Sequence, residues 1–239
     1  KNAVTDAINW AISEHGSVIV MEDDLVPGPQ AVPYAEQMLK IHRDNLSIAH
    51  INLYNIVPVS HLENQTNHSR LTRFPESYGW ATWERAWNQY DDSLSWALNC
   101  TTRELAKVTG SALSALKWKI NFHDAAAGRI QTWAYRWLAT IWSKNQKIVS
   151  PNANLSRYRG FNSGTHTFRK SRFDELPIGN IELKHLDSTT TFEAAADDFM
   201  ANRVFGENIL GVVDGLASSM IMELRDKINQ VRNGSKGRP

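Results

Sequence analysis

The fold is decided by residues 17–24, which read SVIVMEDD. Ser17 to Met21 form a short apolar run with three β-branched side chains, which is typical of a strand buried in a parallel sheet. Three carboxylates follow directly, at the end of the strand where open α/β sheets bind their ligands. The stretch therefore predicts an α/β domain with a functional site just beyond residue 21.

The segments around this strand alternate between helical and strand patterns. Apolar residues recur with helical spacing over residues 2–14, and Gly16 ends that pattern. A second helix is predicted at about 30–43, and the apolar run 48–53 predicts the next strand. This alternation is typical of an α/β fold. Because the chain opens on a helix that feeds a central strand, we also expect a strand–helix–strand portion to be missing ahead of it.

The remainder of the chain reads as mostly helical. A polar loop is predicted at 54–77, and a long loop, of the kind that is usually functional or mobile, at 150–180. The predicted regular elements are helical material from Trp80 to Trp96, helices at 102–119, 131–144 and 192–231, and a strand at 146–149. We expect residues 1–190 to form the main domain and 191–239 a helical extension.

The composition limits the classes of function. The formal net charge is +1, so binding to nucleic acid is not expected. Cys100 is the single cysteine, which excludes an intrachain disulfide and favours a reducing, cytoplasmic location. No run approaches the roughly 20 apolar residues of a membrane span. The basic residues from Arg225 onward are compatible with peripheral contact at the inner face of a membrane, although a solvated terminus is the simpler explanation.

The acidic triplet Glu22-Asp23-Asp24 is the strongest local signal. Three adjacent carboxylates repel one another, and a divalent cation relieves that repulsion. Mg²⁺ or Mn²⁺ is commonly held by one or two carboxylates, with substrate phosphates and water completing the coordination. Such an ion would neutralise a diphosphate leaving group. The structural alternative is an acidic turn that caps the following helix.

A second signal is the aromatic segment 78–87, which reads YGWATWERAW. Trp83 and Trp87 have the i, i+4 spacing of one helix face, and we expect both in the core. Trp80 is predicted in a loop ahead of this helix, where an indole ring can form the wall of a sugar pocket.

A third signal lies in residues 160–167, GFNSGTHT, which follow Arg157 and Arg159. His166 stands among small residues and can reach a metal or a phosphate, and the two arginines suit a diphosphate. A solvated histidine is the alternative.

In this order, the Glu-Asp-Asp strand end, the Gly-Trp-Ala-Thr-Trp segment, the tryptophan-rich helix and the Thr-His-Thr loop resemble a group of bacterial sugar transferases. These are nucleotide-diphospho-sugar transferases of the GT-A type, which serve capsule and lipopolysaccharide synthesis. They are distantly similar to eukaryotic N-acetylglucosaminyltransferases with a Glu-Asp-Asp metal motif. The resemblance covers residues 2–170. It implies a Rossmann-like mixed sheet with flanking helices, lacking its N-terminal nucleotide-binding portion.

The resemblance also implies an activity and its residues. The expected reaction transfers a hexosyl or N-acetylhexosaminyl group from a nucleotide sugar to a hydroxyl of a saccharide or glycolipid acceptor. Mn²⁺ or Mg²⁺ is expected on Asp24, with Asp23, Glu22 and His166 as further ligands. The residues expected at the donor or acceptor are Trp80, Arg157, Arg159 and Trp133.

The general base is the weakest part of this assignment. Many relatives carry Trp-Asp-x-x-Trp where this chain has Trp133-Ala134-Tyr135-Arg136-Trp137, and an alanine cannot accept a proton. Asp124 is therefore the candidate base of an inverting reaction, whereas a retaining reaction needs none. The alternative function is a non-catalytic carbohydrate-binding or scaffold protein that has kept the fold.

Overall fold

The computed structural model describes residues 2–63, 68–159, 176–188 and 190–234. These residues form a five-stranded mixed sheet with helices packed against it, so the α/β prediction is confirmed. The strands are β1 Ser17–Val20, β2 Leu25–Pro27, β3 Ile48–Asn52, β4 Ser69–Thr72, β5 Trp80–Trp83, β6 Lys147–Pro151 and β7 Ser156–Tyr158. The α-helices are α1 Asn2–His15, α2 Ala31–Ile41, α3 Glu84–Trp87, α4 Ser95–Asn99, α5 Thr102–Thr109, α6 Ala112–Ala126, α7 Ala134–Ser143, α8 Ala194–Phe199 and α9 Ile209–Gly234.

The direction of the strands places three strand ends together. The sheet has the order β1-β5-β3-β6-β4, and β3 and β6 are parallel. β5 lies antiparallel to both β1 and β3, so β1 runs in the same direction as β3 and β6. We call the edge at which these three strands end the carboxyl edge. β2 and β7 form a separate antiparallel ribbon that begins there.

The first strand differs from its prediction. β1 is half-buried, lies at one end of the strand order and pairs antiparallel with β5, so it is not a buried strand of a parallel sheet. The reason is that residues 80–83 form a strand where a helix was predicted. Trp80 and Thr82 face one side of the sheet while Ala81 and Trp83 face the other. Aromatic and β-branched residues such as the two tryptophans and Thr82 suit a strand that is covered on both faces.

Other elements follow the sequence patterns more closely. The predictions for α1, α2, β3, α7 and β6 are confirmed to within a few residues at each end. The helix predicted at 102–119 is divided into α5 and α6 at Gly110, whose φ of 88° suits glycine. The predicted loop 54–77 contains β4, which was missed because its sequence, SRLT, is polar although it is largely buried.

Two apolar clusters cover the two faces of the sheet. One contains α2 and the side chains of Ile51 and Trp83. The other is rich in tryptophan and contains Trp80, Trp87, Trp118, Trp133, Trp137 and Trp142. Trp83 and Trp87 are both core residues, as predicted, but they lie in different clusters rather than on one helix face.

His50, in the middle of β3, is the polar centre of the tryptophan-rich cluster. Its ring stacks on Trp80 with centroids 4.7 Å apart, and Trp137 donates its indole N–H to His50 Nδ1 at 3.0 Å. Burial lowers the pKa of His50 to about 3, so the imidazole is neutral in the folded protein.

The segment from α8 onward packs on the same core. Met200 and Ala201, in a π-helical turn after α8, belong to the tryptophan-rich cluster, and α9 packs against α6. The helix predicted at 192–231 is interrupted at Gly206, which has a φ of 62°. A Cβ atom at Gly211 would collide with the carbonyl oxygen of Gly206, so the two backbones touch directly. Asn208 caps α9 by accepting the Gly211 N–H at 2.9 Å.

In the part of the chain that the structure describes, no single helix has the length and apolar character needed to cross a membrane. The pair Ala194–Val204 and Ile209–Gln230, bent by 41°, meets those criteria only when its two members are taken together.

We expect Asp197 to be required for docking of α8. Its buried carboxylate accepts from the backbone N–H and the Nε of Arg73 at 3.0 and 2.8 Å, and from Thr72. Asp197→Ala should lower the free energy of unfolding by about 3–5 kcal/mol, because Arg73 then lacks its counter-charge. Urea denaturation measures this. Asp198, the exposed neighbour of Asp197, provides the control. Asp198→Ala should change the free energy of unfolding by less than about 0.5 kcal/mol. Equal effects of the two substitutions would contradict the assignment.

Candidate functional site

The acidic triplet forms a turn at the carboxyl edge. The N–H of Leu25 donates to the Glu22 carbonyl at 3.1 Å, which closes the turn between β1 and β2. Asp23 is exposed, whereas Glu22 and Asp24 are half-buried. The pKa of Glu22 is raised by burial first and then by the negative charges of Asp24 and Asp23. This acidic turn (residues 22–24) does not cap α2, because Gln30 precedes that helix.

Two arginines lie on the strand that pairs with β2. In the β2–β7 ribbon Arg157 is opposite Val26, and the backbone N–H of Arg159 donates to the Asp24 carbonyl at 2.8 Å. Arg159 is exposed, and Arg157 is half-buried with no hydrogen-bond partner on its Nε among the described residues. The backbone pairing therefore fixes both arginines beside the acidic turn.

A cluster of three tyrosines lies next to the acidic turn. The rings of Tyr78 and Tyr158 are 4.6 Å apart, and those of Tyr78 and Tyr54 are 5.2 Å apart. Burial raises the pKa of Tyr78, and the negative charges of Glu76, Asp24 and Glu22 add to the effect. Gly79, with a φ of 88°, makes the turn into β5 that places Tyr78 here. Tyr78 is thus close both to the acidic turn and to Glu76.

Glu76 is a buried carboxylic acid at the same edge, with 7% of its surface exposed. The side chain of Asn52, at the end of β3, holds this segment by accepting the Glu76 N–H at 2.8 Å and donating to the Phe74 carbonyl at 3.1 Å. Glu76 Oε1 has no hydrogen-bond partner among the described residues. Burial raises the pKa of Glu76 to about 7, although the nearby positive charge of Arg70 opposes this.

A buried polar network supports the edge from behind. Arg70 donates to Asn55 Oδ1 at 3.0 Å and to the Pro151 carbonyl and Asn152 Oδ1, both at 2.9 Å. Asn55 in turn donates to the Asn152 carbonyl at 3.1 Å. The segments that follow β3 and β6 are therefore joined mainly by side chains rather than by a strand ladder.

The remaining predicted site residues lie elsewhere or outside the description. Trp80 is fully buried in β5, not in a loop, and stacks on the almost fully buried Trp133 at 5.1 Å. Asp124 is buried near the end of α6, where it pairs with Arg129 at 2.7 Å and accepts from Ser219 at 2.7 Å. His166 lies outside the described residues.

The site residues that the structure adds are Glu76, Tyr54, Tyr78, Tyr158 and Asn52. In the sequence they are distinguished only by position. Asn52 ends β3 and Tyr54 follows it, Glu76 and Tyr78 precede Gly79, and Tyr158 lies between the two arginines. Within the ranges described, no three carboxylate, imidazole or thiol side chains converge as a preformed metal site. Comparison with models of protein families and with curated proteins finds no match to this chain.

Glu76 should make the protein less stable as the pH rises. Between pH 4.5 and about 7 the unfolded chain has an ionised Glu76 while the folded chain keeps it protonated, so stability falls with rising pH in this window. Glu76→Gln cannot ionise. It should match the wild type near pH 4.5 and exceed it by up to about 3 kcal/mol at pH 8.

Urea denaturation at both pH values checks this, with Glu36→Gln as the control because Glu36 is exposed on α2. A difference between Glu76→Gln and wild type that does not change with pH would show that burial of the charge is not the cause.

Proposed function

We propose that this chain is a metal-dependent glycosyltransferase that moves a sugar from a nucleotide-diphosphate donor to an acceptor hydroxyl. The observation that carries the proposal is the position of the acidic turn, which follows β1 at the carboxyl edge and is bonded through Asp24 to the strand that bears Arg157 and Arg159. Ligands of α/β proteins bind at such an edge. Negative and positive groups side by side suit a metal ion and a diphosphate together.

The donor set fits Mn²⁺ or Mg²⁺ that arrives with its substrate. Glu22 is disfavoured as an anion by burial first and then by its acidic neighbours, and a cation would offset both effects. These ions need only one or two protein carboxylates when phosphates supply the other ligands, so a preformed three-ligand group is not required. Asp24 is the expected ligand, and Asp23 and Glu22 would act directly or through water. A bound ion would offset the charge of the departing diphosphate.

The arginines and tyrosines have separate tasks in this proposal. Arg159 is exposed and can bind the diphosphate directly, whereas half-buried Arg157 adds a fixed positive charge. Tyr78 is the half-buried member of the tyrosine cluster, so its ring is the one available to a sugar. Trp80 and Trp133 have only a packing role in this proposal, because their rings are buried against each other.

Glu76 is a better candidate for the general base than Asp124. A base must reach the acceptor hydroxyl and work near neutral pH. Asp124 is occupied by Arg129 and Ser219, whereas Glu76 lies at the carboxyl edge with a free oxygen and a pKa of about 7. In an inverting reaction the Glu76 carboxylate would take the proton of the acceptor hydroxyl as that oxygen attacks the sugar and the diphosphate leaves, which requires the acceptor to open a path to this buried group.

The metal assignment is tested with Mn²⁺ in the presence of UDP, GDP or ADP. Asp24→Asn should weaken binding of Mn²⁺ at least about tenfold, because removal even of groups that only support a ligand has effects of that size. Electron paramagnetic resonance of free Mn²⁺ measures it. Asp6→Asn, an exposed aspartate on α1, is the control and should bind like wild type. Equal Mn²⁺ binding by wild type and Asp24→Asn would contradict the assignment of Asp24 as a metal ligand.

The base assignment is tested by release of nucleoside diphosphate from a panel of nucleotide sugars. Glu76→Gln should lower kcat by about 10²- to 10⁴-fold with little change in donor binding. In wild type kcat/KM should fall as the pH drops below about 7, because the base must be ionised, and this limb should vanish in Glu76→Gln.

Asp124→Asn provides the comparison, and we expect it to lower stability while folded protein turns over at close to the wild-type rate. If Asp124→Asn lost turnover and Glu76→Gln did not, Asp124 rather than Glu76 would be the general base. Donor binding without turnover in wild type would favour the carbohydrate-binding alternative.

A further inference from the structure

Helix α9 turns its apolar face away from the protein. Its inward side carries only two large apolar side chains, buried Val212 and half-buried Met222, and alongside them Gly211, Gly215 and Ser219 recur at intervals of four. Ser219 even donates to the buried Asp124 of α6. This is the reverse of an ordinary surface helix, whose apolar stripe faces the core.

The outward side of α9 is a continuous apolar stripe. We define the α9 stripe as the exposed large side chains Ile209, Leu210, Val213, Leu216, Met220, Ile221, Leu224 and Ile228. Their exposed fractions run from 44% to 76%, so together they present on the order of 800 Å² of surface. That exceeds the roughly 300–600 Å² of the largest apolar patch on a typical monomer and equals one partner's share of a standard dimer interface.

The spacing of the stripe is that of a helix-to-helix contact. Leu210, Val213, Ala217, Met220 and Leu224 follow one another at intervals of three, four, three and four. This heptad pattern is what two packed helices require. The exposed Ala217 leaves room at the middle of the stripe for a larger side chain of a second helix.

The charges beside the stripe favour a second protein helix over a lipid surface. Over the whole of α9, Ile209–Gly234, three acidic side chains (Asp214, Glu223 and Asp226) balance three basic ones (Arg225, Lys227 and Arg232). Lys227 is paired with Glu223 at 2.9 Å. Helices that lie on anionic membranes are instead rich in unpaired Lys and Arg.

We propose that two copies of this chain associate through antiparallel α9 helices. Asp214 and Arg225 are eleven residues apart, which is three helical turns, so they lie on the same flank of the stripe. Neither has an ion-pair partner among the described residues. In an antiparallel pair Leu224 packs on Val213 of the second copy, and each Asp214 comes level with the second Arg225. A parallel pair would keep these charges about 16 Å apart along the axis.

The oligomeric state of the full chain tests the proposal. Sedimentation equilibrium should show a dimer for wild type, and Met220→Lys with Leu224→Lys should raise the dimer dissociation constant by roughly 100-fold or more. The matched control carries Leu46→Lys and Val59→Lys, which are exposed apolar residues away from α9, and should remain dimeric. A monomeric wild type overturns the proposal. This holds whether the monomer binds vesicles of phosphatidylcholine and phosphatidylglycerol, as a lipid-contacting helix would, or does not bind them.

Single cysteines test the antiparallel direction. Met220→Cys, near the centre of the stripe, should form an intermolecular disulfide on mild oxidation. Val213→Cys should not cross-link to itself but should cross-link to Leu224→Cys when the two proteins are mixed. Wild type is the control, because its Cys100 is buried. Self-cross-linking of all three variants would mean a parallel pair and would overturn the proposal.

Discussion

The antiparallel insertion of β5 between β1 and β3 determines both the core and the candidate site. Because β5 runs against both neighbours, β1 becomes parallel to β3 without touching it, and the ends of β1, β3 and β6 meet at one edge. The same strand places Trp80 against His50. The turn into β5 presents Tyr78 and Glu76 beside the acidic turn. The tryptophan-rich core on one face of the sheet and the candidate site at the carboxyl edge therefore both depend on the four residues of β5.

The protein buries ionisable groups whose titrations oppose each other. His50 is kept neutral, so its burial costs stability as the pH falls below its ordinary value of 6.5 and the unfolded chain takes up a proton. Glu76 costs stability in the other direction, as the pH rises above 4.5. Both groups lie where β3 and β5 pair. An apolar residue at position 76 would favour stability alone, and a buried carboxyl group with a strongly raised pKa is typical of functional positions.

Local sequence patterns predicted much of the fold but little of the candidate site. The helical periodicity of residues 2–14 and the apolar run 48–53 are local signals, and both elements form as predicted. The order of the strands is not a local property, and the tryptophans at 80 and 83 suited helix and strand equally until neighbouring strands enclosed them. The acidic turn and the arginines were recognised by residue type. Glu76 was not, because its chemistry arises from burial, which only the tertiary structure creates.

The direct contact of Gly206 with Gly211 helps to fix the angle at which α9 leaves the rest of the protein. At the root of this helix the two backbones touch directly, next to the buried Val212 and to Lys117, which donates to the Gly211 carbonyl at 3.0 Å. A 26-residue helix is about 39 Å long, so a tilt of only 10° at its root moves the far end by about 7 Å. An added methyl group at position 211 would therefore tilt the helix against its contacts with α6, which include the hydrogen bond from Ser219 to Asp124. The direction of α9 depends both on this pair of glycines and on its packing against α6.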